Sequence, residues 1–505
     1  MCDSVQRHGG DHTTVKSRLL NRVEFLLLFL LAGSSAAQPS PWYLTRGGSG
    51  LDQAWGVDVD SAGSIYLAVS ETPFLSWYFD ICLYKFSPEG REIWRSQRWG
   101  GPFNDKAFIT VVQAPCVYVA GRTDSSGAPG SGEAVVLAYD IARGGLLWEY
   151  TWGRGYGYEE VDGLVAADDG IYISGWTEGP SSQMDIFLQK LNYAGKLEWS
   201  SVWGSPGFDE ANGQIVLDDS TVYVAGRYNG GELLGGDVLL AAFDRKDGSY
   251  RWHTTWGGTI YQDAYGMTQQ GPYLYLVGIK MSQTGGSQIL LLKATKSGRR
   301  VWETLWGGDK GESARAVAVV GDSLVYVTGK TDSYGAGGND VVLIKCDTNG
   351  NVRSFKTWGG SGTDEAHGMA TYGEFIYIAG ETGSGGAGKQ DALLLKAKGN
   401  TMEMPELPVT RVEARQTVEA PLDLEAFPNP FNPLMMIRFS LKVREHVALR
   451  VFDALGREVR EMVNRELERG DHAFVLDATD MRSGVYLCRL QGPHSVEVKT
   501  LVVVK

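Results

Sequence analysis

Seven acidic residues return at a near-constant distance along the chain: Asp52, Asp105, Glu159, Asp209, Asp263, Glu312 and Asp364. A ring of carboxylates could hold a hard cation such as Ca²⁺, which takes about 6–8 oxygen ligands. Regular recurrence speaks instead for a structural task, with each acid accepting backbone hydrogen bonds in the turn that enters a strand. Shortly after each acid comes a slot that varies: Trp55, Phe108, Asp162, Asn212, Tyr265, Arg315 and His367, framed by recurring Ala and Gly. A constant frame around a variable position is how a scaffold presents ligand-binding groups. Aromatic faces would stack, and Asp, Asn, Arg and His would supply directional hydrogen bonds, a mixture that suits a carbohydrate or the end of a peptide. Drift of side chains facing a wet channel is the competing explanation.

A further acidic set opens a later strand: Asp80, Glu133, Asp185, Asp237, Asp340 and Asp391, with Gln288 breaking the pattern. Lys85, Lys190, Lys293, Lys345 and Lys396 follow five residues later in five units. That separation places acid and base on opposite faces of a strand, so turn-capping acids and solvated lysines are expected. Catalytic constellations are sparse. The repeats contain no His-x-x-x-His pair, no Gly-x-Ser-x-Gly elbow and no phosphate-binding Gly-Lys-Ser/Thr loop of the P-loop spacing. The Ser-x-Asp-x-Gly-x-Thr-Trp box of sialidase-type propellers is missing too. No catalytic residue and no metal set is assigned, and no cofactor is expected beyond the Ca²⁺ that the acids could hold. Two carboxylates are nonetheless enough for glycoside chemistry.

These residues are positioned by a repeat. A Trp-Gly marker stands at Trp99, Trp152, Trp203, Trp256, Trp306 and Trp358, and Arg46-Gly47-Gly48 takes its place at the start. The intervals are 53, 53, 51, 53, 50 and 52 residues. Each unit continues with an acid-containing strand, a Tyr-centred strand (VYVAG, IYISG, LYLVG), a Leu/Val-rich third strand and a fourth that ends on the next marker. Tyr66, Tyr118, Tyr172, Tyr223, Tyr275, Tyr326 and Tyr377 mark all seven units. Four short strands separated by Gly, Asn, Asp and Ser turns cannot bury both faces of their own sheet. Radial stacking of such sheets makes a β-propeller, which needs no capping repeats when its ring closes. The last unit, ending near DALLLKAKGN, lacks a fourth strand, and PWYLTRGG (41–48) is a fourth strand without a unit. Residues 41–46 are therefore expected to pair with the strand around Ala392–Lys396.

The units resemble the bacterial seven-bladed propeller repeat called SBBP, in which Gly-Gly, acidic-Ala, Gly and Tyr-hydrophobic-Gly recur. This resemblance covers about 42–398 and implies fold rather than activity. Segments such as AYDIARGGLLWEY also resemble quinoprotein repeats, but the eight-blade count usual for those is absent, so no quinone cofactor is expected.

The tail differs. After a polar stretch (399–424) come FPNPFNPLMMIRFSL, VALRVFDALGREV, HAFVLDAT, SGVYLCRL and VEVKTLVVVK, the pattern of a small Ig-like β-sandwich. It resembles the type A C-terminal sorting domain of the type IX secretion system. The resemblance rests on Pro428-Asn429-Pro430-Phe431-Asn432-Pro433, Leu455-Gly456-Arg457-Glu458, Ser483-Gly484-Val485-Tyr486 and the terminal Lys505. It implies the type IX machinery as partner through residues 425–505, and a location outside a Gram-negative cell or on its outer-membrane surface. At the other end, Lys16, Arg18 and Arg22 precede FLLLFLLAG and SSAAQPS, the zones of a secretory signal cut after Ala37. Nine apolar residues are too few for a span of roughly 20, so no transmembrane anchor is expected in the mature chain. The division expected is thus 1–37 signal peptide, 38–398 all-β seven-bladed propeller closed by its N-terminal strand, 399–424 linker and 425–505 sorting domain.

A net charge of −13 argues against a nucleic-acid binder, which would want a basic face. Cys82, Cys116, Cys346 and Cys488 have no regular spacing and read as buried apolar side chains. The function expected is non-enzymatic binding or adhesion of a carbohydrate, peptide or protein outside the cell, with a secreted hydrolase on the same scaffold as the alternative.

Overall fold

The computed structural model describes residues 40–407 and 424–504, apart from 49, 74–75, 77, 127–130, 156, 180–182, 231–234, 284, 387–388, 428, 430, 442–443, 454–456 and 493–495. The signal segment expected at 1–37 lies outside the described residues, as do Pro428, Pro430, Leu455, Gly456 and Lys505 of the tail motif. Regular structure among the described residues is all strand, and no helix occurs among them. None of their helices could therefore cross a membrane. The chain divides into two compact units, parted between 408 and 409.

The described residues of the first unit form seven four-stranded antiparallel sheets. Six are built from consecutive strands, as in Asp105–Gln113, Cys116–Thr123, Glu133–Asp140 and Leu146–Trp152. The seventh takes Asp364–Tyr372, Phe375–Thr382 and Asp391–Lys398 and adds Trp42–Arg46 from the far end of the chain. Its register runs from Trp42 opposite Lys396 to Arg46 opposite Ala392, which is the pairing expected of residues 41–46. The middle strands of each sheet are buried on both faces, which explains why they read as unbroken Leu/Val/Tyr runs rather than alternating ones. Outer strands alternate, as Leu146–Trp152 does, because one face meets solvent. Each sheet packs on the next over an apolar cluster, and one cluster joins the last sheet (Tyr377, Ala379, Leu394) to the first (Leu67, Val69, Tyr84).

The repeated Tyr and the outer-strand Trp make these interfaces specific. Tyr66 packs on Trp94, Tyr172 on Trp199 and Tyr275 on Trp302, with ring centres 5.9–6.1 Å apart. Trp42 meets Tyr377 at 6.4 Å in the same arrangement, and its indole N–H donates to Pro88 O of the first sheet at 3.3 Å. Trp148 and Trp302 donate likewise to Tyr193 O and Thr348 O. The five lysines are not the solvated residues expected. Each lies opposite the repeated Tyr, as Tyr66–Lys85 and Tyr377–Lys396 do. Lys85, Lys293, Lys345 and Lys396 donate to the carbonyls of Ile141, Thr348, Asn400 and Pro88 on the neighbouring sheet, at 2.8–3.2 Å. Lys190 pairs with Asp169 and Glu198 instead. Tight packing of the sheets turns these long side chains inward, where the apolar stem lies along the Tyr ring and the ammonium finds backbone oxygen.

Cys82, Cys116, Cys346 and Cys488 are free and buried. Within the stretch expected as linker, residues 399–407 belong with the first unit: Met402 is 3% exposed in its last cluster, and Lys398 N donates to Glu403 O. Of the remainder, 408–423 lie outside the described residues, and Leu424 is buried in the core of the second unit. The second unit pairs a sheet of Glu425–Phe427, Leu434–Leu441 and Gly470–Asp477 with one of Glu458–Leu467, Glu445–Asp453, Gly484–Gln491 and Val496–Val503. Met435, Ile437, Phe439, Leu449, Val451, Cys488 and Leu501 share one core between them.

Candidate functional site

The repeated acids do structural work. Asp52, Asp105, Asp209, Glu312 and Asp364 each accept the backbone N–H four residues back, from Gly48, Gly101, Ser205, Gly308 and Gly360. Glu159, Glu312 and Asp364 also accept the hydroxyl of the Thr opposite them: Thr177, Thr331 and Thr382. Asp263 does not belong to this ring. Register places Gln262 in the ring position, opposite Lys280, and Asp263 one residue on, opposite Ile279. Adjacent strand residues face opposite ways, so Asp263 aligns with Lys106, Glu160 and Glu365 instead.

The variable slot has a physical cause. Pairing of the first two strands skips one residue in six sheets, between Ala54/Gly56, Ala107/Ile109, Val161/Gly163, Ala264/Gly266, Ala314/Ala316 and Ala366/Gly368. The skipped residues are Trp55, Phe108, Asp162, Tyr265, Arg315 and His367, so each slot is the extra residue of a β-bulge, which re-aims its side chain. Asn212 falls where the fourth sheet's first strand breaks, between the Glu210–Arg227 bridge and Val216. The glycine of the Tyr-hydrophobic-Gly motif serves the bulge. A Cβ on Gly121, Gly175, Gly226, Gly278, Gly329 or Gly380 would overlap the carbonyl oxygen two residues before the slot.

All seven slot residues line one cavity of ≈ 590 Å³. His367 stacks on Trp55 at 3.8 Å and 7°, and Phe108 meets Trp55 edge-on at 5.6 Å. Arg315 lies 4.1 Å over the Tyr265 ring and 5.6 Å from that of Trp55, and it makes no hydrogen bond or ion pair with another described residue. Acids also gather behind the slot residue Asn212. Asn212 Nδ2 bridges Glu210 at 2.9 Å and Asp263 at 3.1 Å, and Tyr261 donates to Asp263 at 3.0 Å. Burial, with Glu210 nearby, pushes Asp263 up to about 7 against the pull of Arg227. Burial and the carboxylates of Glu160 and Glu210 raise Asp162 well above the ordinary range, with Arg315 opposing. Trp55 Nε1, Asp162 Oδ2, Asp263 Oδ1 and both ring nitrogens of His367 are buried without a hydrogen-bond partner. Such atoms are costly unless something satisfies them.

The sequence offered the slot but not its neighbours. Asp263, Glu210 and Tyr261 gather behind Asn212 through register and through contacts between sheets, which no single strand displays. A donor cluster also goes unnoticed: Glu365, His367 and Glu381 bring ligand atoms within 4.8 Å of one another. Glu365-x-His367 is legible in the sequence, but Glu381 joins only through pairing across two strands.

Two family models match. Residues 425–504 match the secretion system C-terminal sorting domain. The chain is a type IX secreted protein, exported to the surface of a Bacteroidetes-type Gram-negative cell or released. Within the tail of this type IX protein, Asn429 of the motif clamps the last strand, donating to Thr500 O at 2.7 Å and accepting from Val502 N at 2.8 Å. Phe431, 3% exposed, exchanges backbone hydrogen bonds with Val502 and Val504. Residues 187–368, across the middle sheets, match the model of outer membrane protein assembly factor BamB. No curated protein matches the chain. Solved structures similar to it include a prolyl endopeptidase (12% identity, TM-score 0.42, 78% of this chain and 55% of that one), so the chain spans about half that protein's length. The propeller domain of a trilobed protease from Pyrococcus furiosus (9%, 0.41, 69% and 96%) and the polysaccharide lyase Uly1 (9%, 0.41, 73% and 94%) are also similar. The chain's own coarse architecture is an all-β, propeller-like scaffold of four-stranded sheets followed by a secretion tail.

Proposed function

We propose that the seven sheets are the blades of one closed seven-bladed propeller of the SBBP type, exported by its N-terminal signal and a type A tail. Its cavity is the binding site of a non-enzymatic recognition module at the cell surface. One observation carries this reading: the bulges that break strand pairing aim different side chains at one cavity, where several buried polar atoms have no partner. The lining combines aromatic and cationic groups (Trp55, His367, Arg315) with the acid Asp162, and Asp263 lies behind Asn212, a mixture that suits a polyhydroxyl ligand with a flat apolar face or the zwitterionic end of a peptide.

A second reading is hydrolysis. Asp162, raised in the cavity wall, and Asp263, near 7 behind Asn212, are groups that could hold and release a proton near neutral pH. Glycan and peptide arrays probed with the secreted chain, followed by calorimetry on the hits, test both. Trp55→Ala combined with Arg315→Ala should weaken a hit at least tenfold without moving the melting temperature. Unchanged affinity refutes the cavity as the site. Chemical conversion of the hit, lost in Asp162→Asn, establishes the enzyme instead.

A further inference from the structure

Glu365 and Glu381 face each other directly across the first two strands of the last sheet. Like charges in that position repel, and the hydrogen-bond donors around them reach only one oxygen of each. Lys330 Nζ and Asn339 Nδ2 both bind Glu365 Oε1, at 2.9 and 2.7 Å. Gln53 Nε2 binds Glu381 Oε2 at 2.6 Å. His367 stands beside them, 8% exposed, with neither ring nitrogen hydrogen-bonded. Its Nε2 is 3.8 Å from Glu381 Oε1, too long for a hydrogen bond. Two donors that share an ion at about 2.0–2.2 Å lie roughly 3–4 Å apart. The bulge and the stack on Trp55 fix the imidazole in that place.

We propose that Glu365, His367 and Glu381 bind a first-row divalent cation of the Zn²⁺ or Co²⁺ kind at the wall of the cavity. The imidazole decides the metal class: Ca²⁺ and Mg²⁺ select all-oxygen sites, whereas nitrogen with carboxylate suits zinc and its neighbours. The ion relieves the facing carboxylates and takes up one orphaned nitrogen of His367. It is distinct from the ring of repeated acids, whose oxygens are occupied by backbone and hydroxyl donors. Three protein ligands leave further coordination positions open.

The full secreted chain, stripped with a chelator, is titrated with Zn²⁺ by calorimetry and with Co²⁺ by fluorescence. One equivalent should bind in the micromolar range, with no competition from a hundredfold excess of Ca²⁺. His367→Ala and the isosteric Glu381→Gln should each weaken Zn²⁺ at least tenfold in a chain that still folds, and Glu381→Gln should not lower the melting temperature of the metal-free protein. Bound Co²⁺ should quench Trp55, so that Trp55→Phe binds with the same stoichiometry but loses the quenching. Should Glu381→Gln fail to fold, Glu365→Gln provides the same comparison. No binding by the wild type at 1 mM Zn²⁺, or affinity unchanged in His367→Ala and either glutamine variant, overturns the site.

Discussion

At the scale of single residues, register decides what an acid does. Asp52 and Asp364 have their carboxylate oxygens occupied by backbone and hydroxyl donors, whereas Asp263, one position out of step, is buried beside Glu210 and has one unpartnered oxygen. The sequence could not separate them, because both stand six or seven residues after a Trp-Gly marker and only strand pairing distinguishes the two faces. The difference is measurable. Asp263 ionises near 7 in the folded chain and near 3.8 when unfolded, so across that window the native state holds the extra proton. Stability therefore falls as pH rises from about 4 to 7 and levels off above, with the acid's favourable contribution present only at the low end. Asp263→Asn mimics the protonated acid. It should be close to neutral at pH 4 and stabilising at pH 8 by roughly 2–4 kcal/mol, read from denaturant midpoints at both values. An effect of equal size at the two pH values would show that Asp263 is not titrating in this window.

At the scale of the element, the slot was legible and its cause was not. A run of Ala, variable residue and Gly shows in the sequence as a constant frame. That the variable residue is a bulge follows only from the two-against-one pairing with the glycine-bearing second strand. The lysines failed for a related reason. Opposition of faces along one strand says nothing about a neighbouring sheet near enough to bury both faces. The seventh sheet shows the same logic succeeding, since the missing fourth strand and the surplus one could be counted. Trp42–Arg46 contributes its half-buried Trp42, Tyr43 and Leu44, the Tyr43–Trp358 contact at 5.1 Å and the Arg46–Glu92 ion pair at 3.0 Å. It also covers the edge of Asp391–Lys398, which would otherwise offer unpaired backbone groups to another chain. Deleting residues 40–46 should cost about 3–5 kcal/mol from lost apolar burial and promote association. Calorimetry and light scattering check both effects, and an unmoved melting temperature would mean that the strand is dispensable to closure.

At the scale of the whole molecule, the two units have separate cores. The core of the second unit is drawn entirely from residues 424–503, and the last apolar cluster of the first ends at Leu407. The two clusters share no residue, so loss of the tail is expected to leave the core of the first unit intact. The tail's fold, in turn, depends on joining its two ends. The Asn429 and Phe431 contacts tie the entry of the unit to its final strand, so a chain truncated at its C-terminus loses the partner of its own motif. Stopping the chain after residue 424 should therefore leave the unfolding transition of the first unit in place. It should also trap the protein inside the outer membrane, because export by the type IX route requires the tail. Cell fractionation with protease shaving measures the second effect, and calorimetry of the purified truncation the first. A truncated chain that still reaches the surface would assign the address to some other segment. A first unit that melts earlier would show that the two cores are coupled after all.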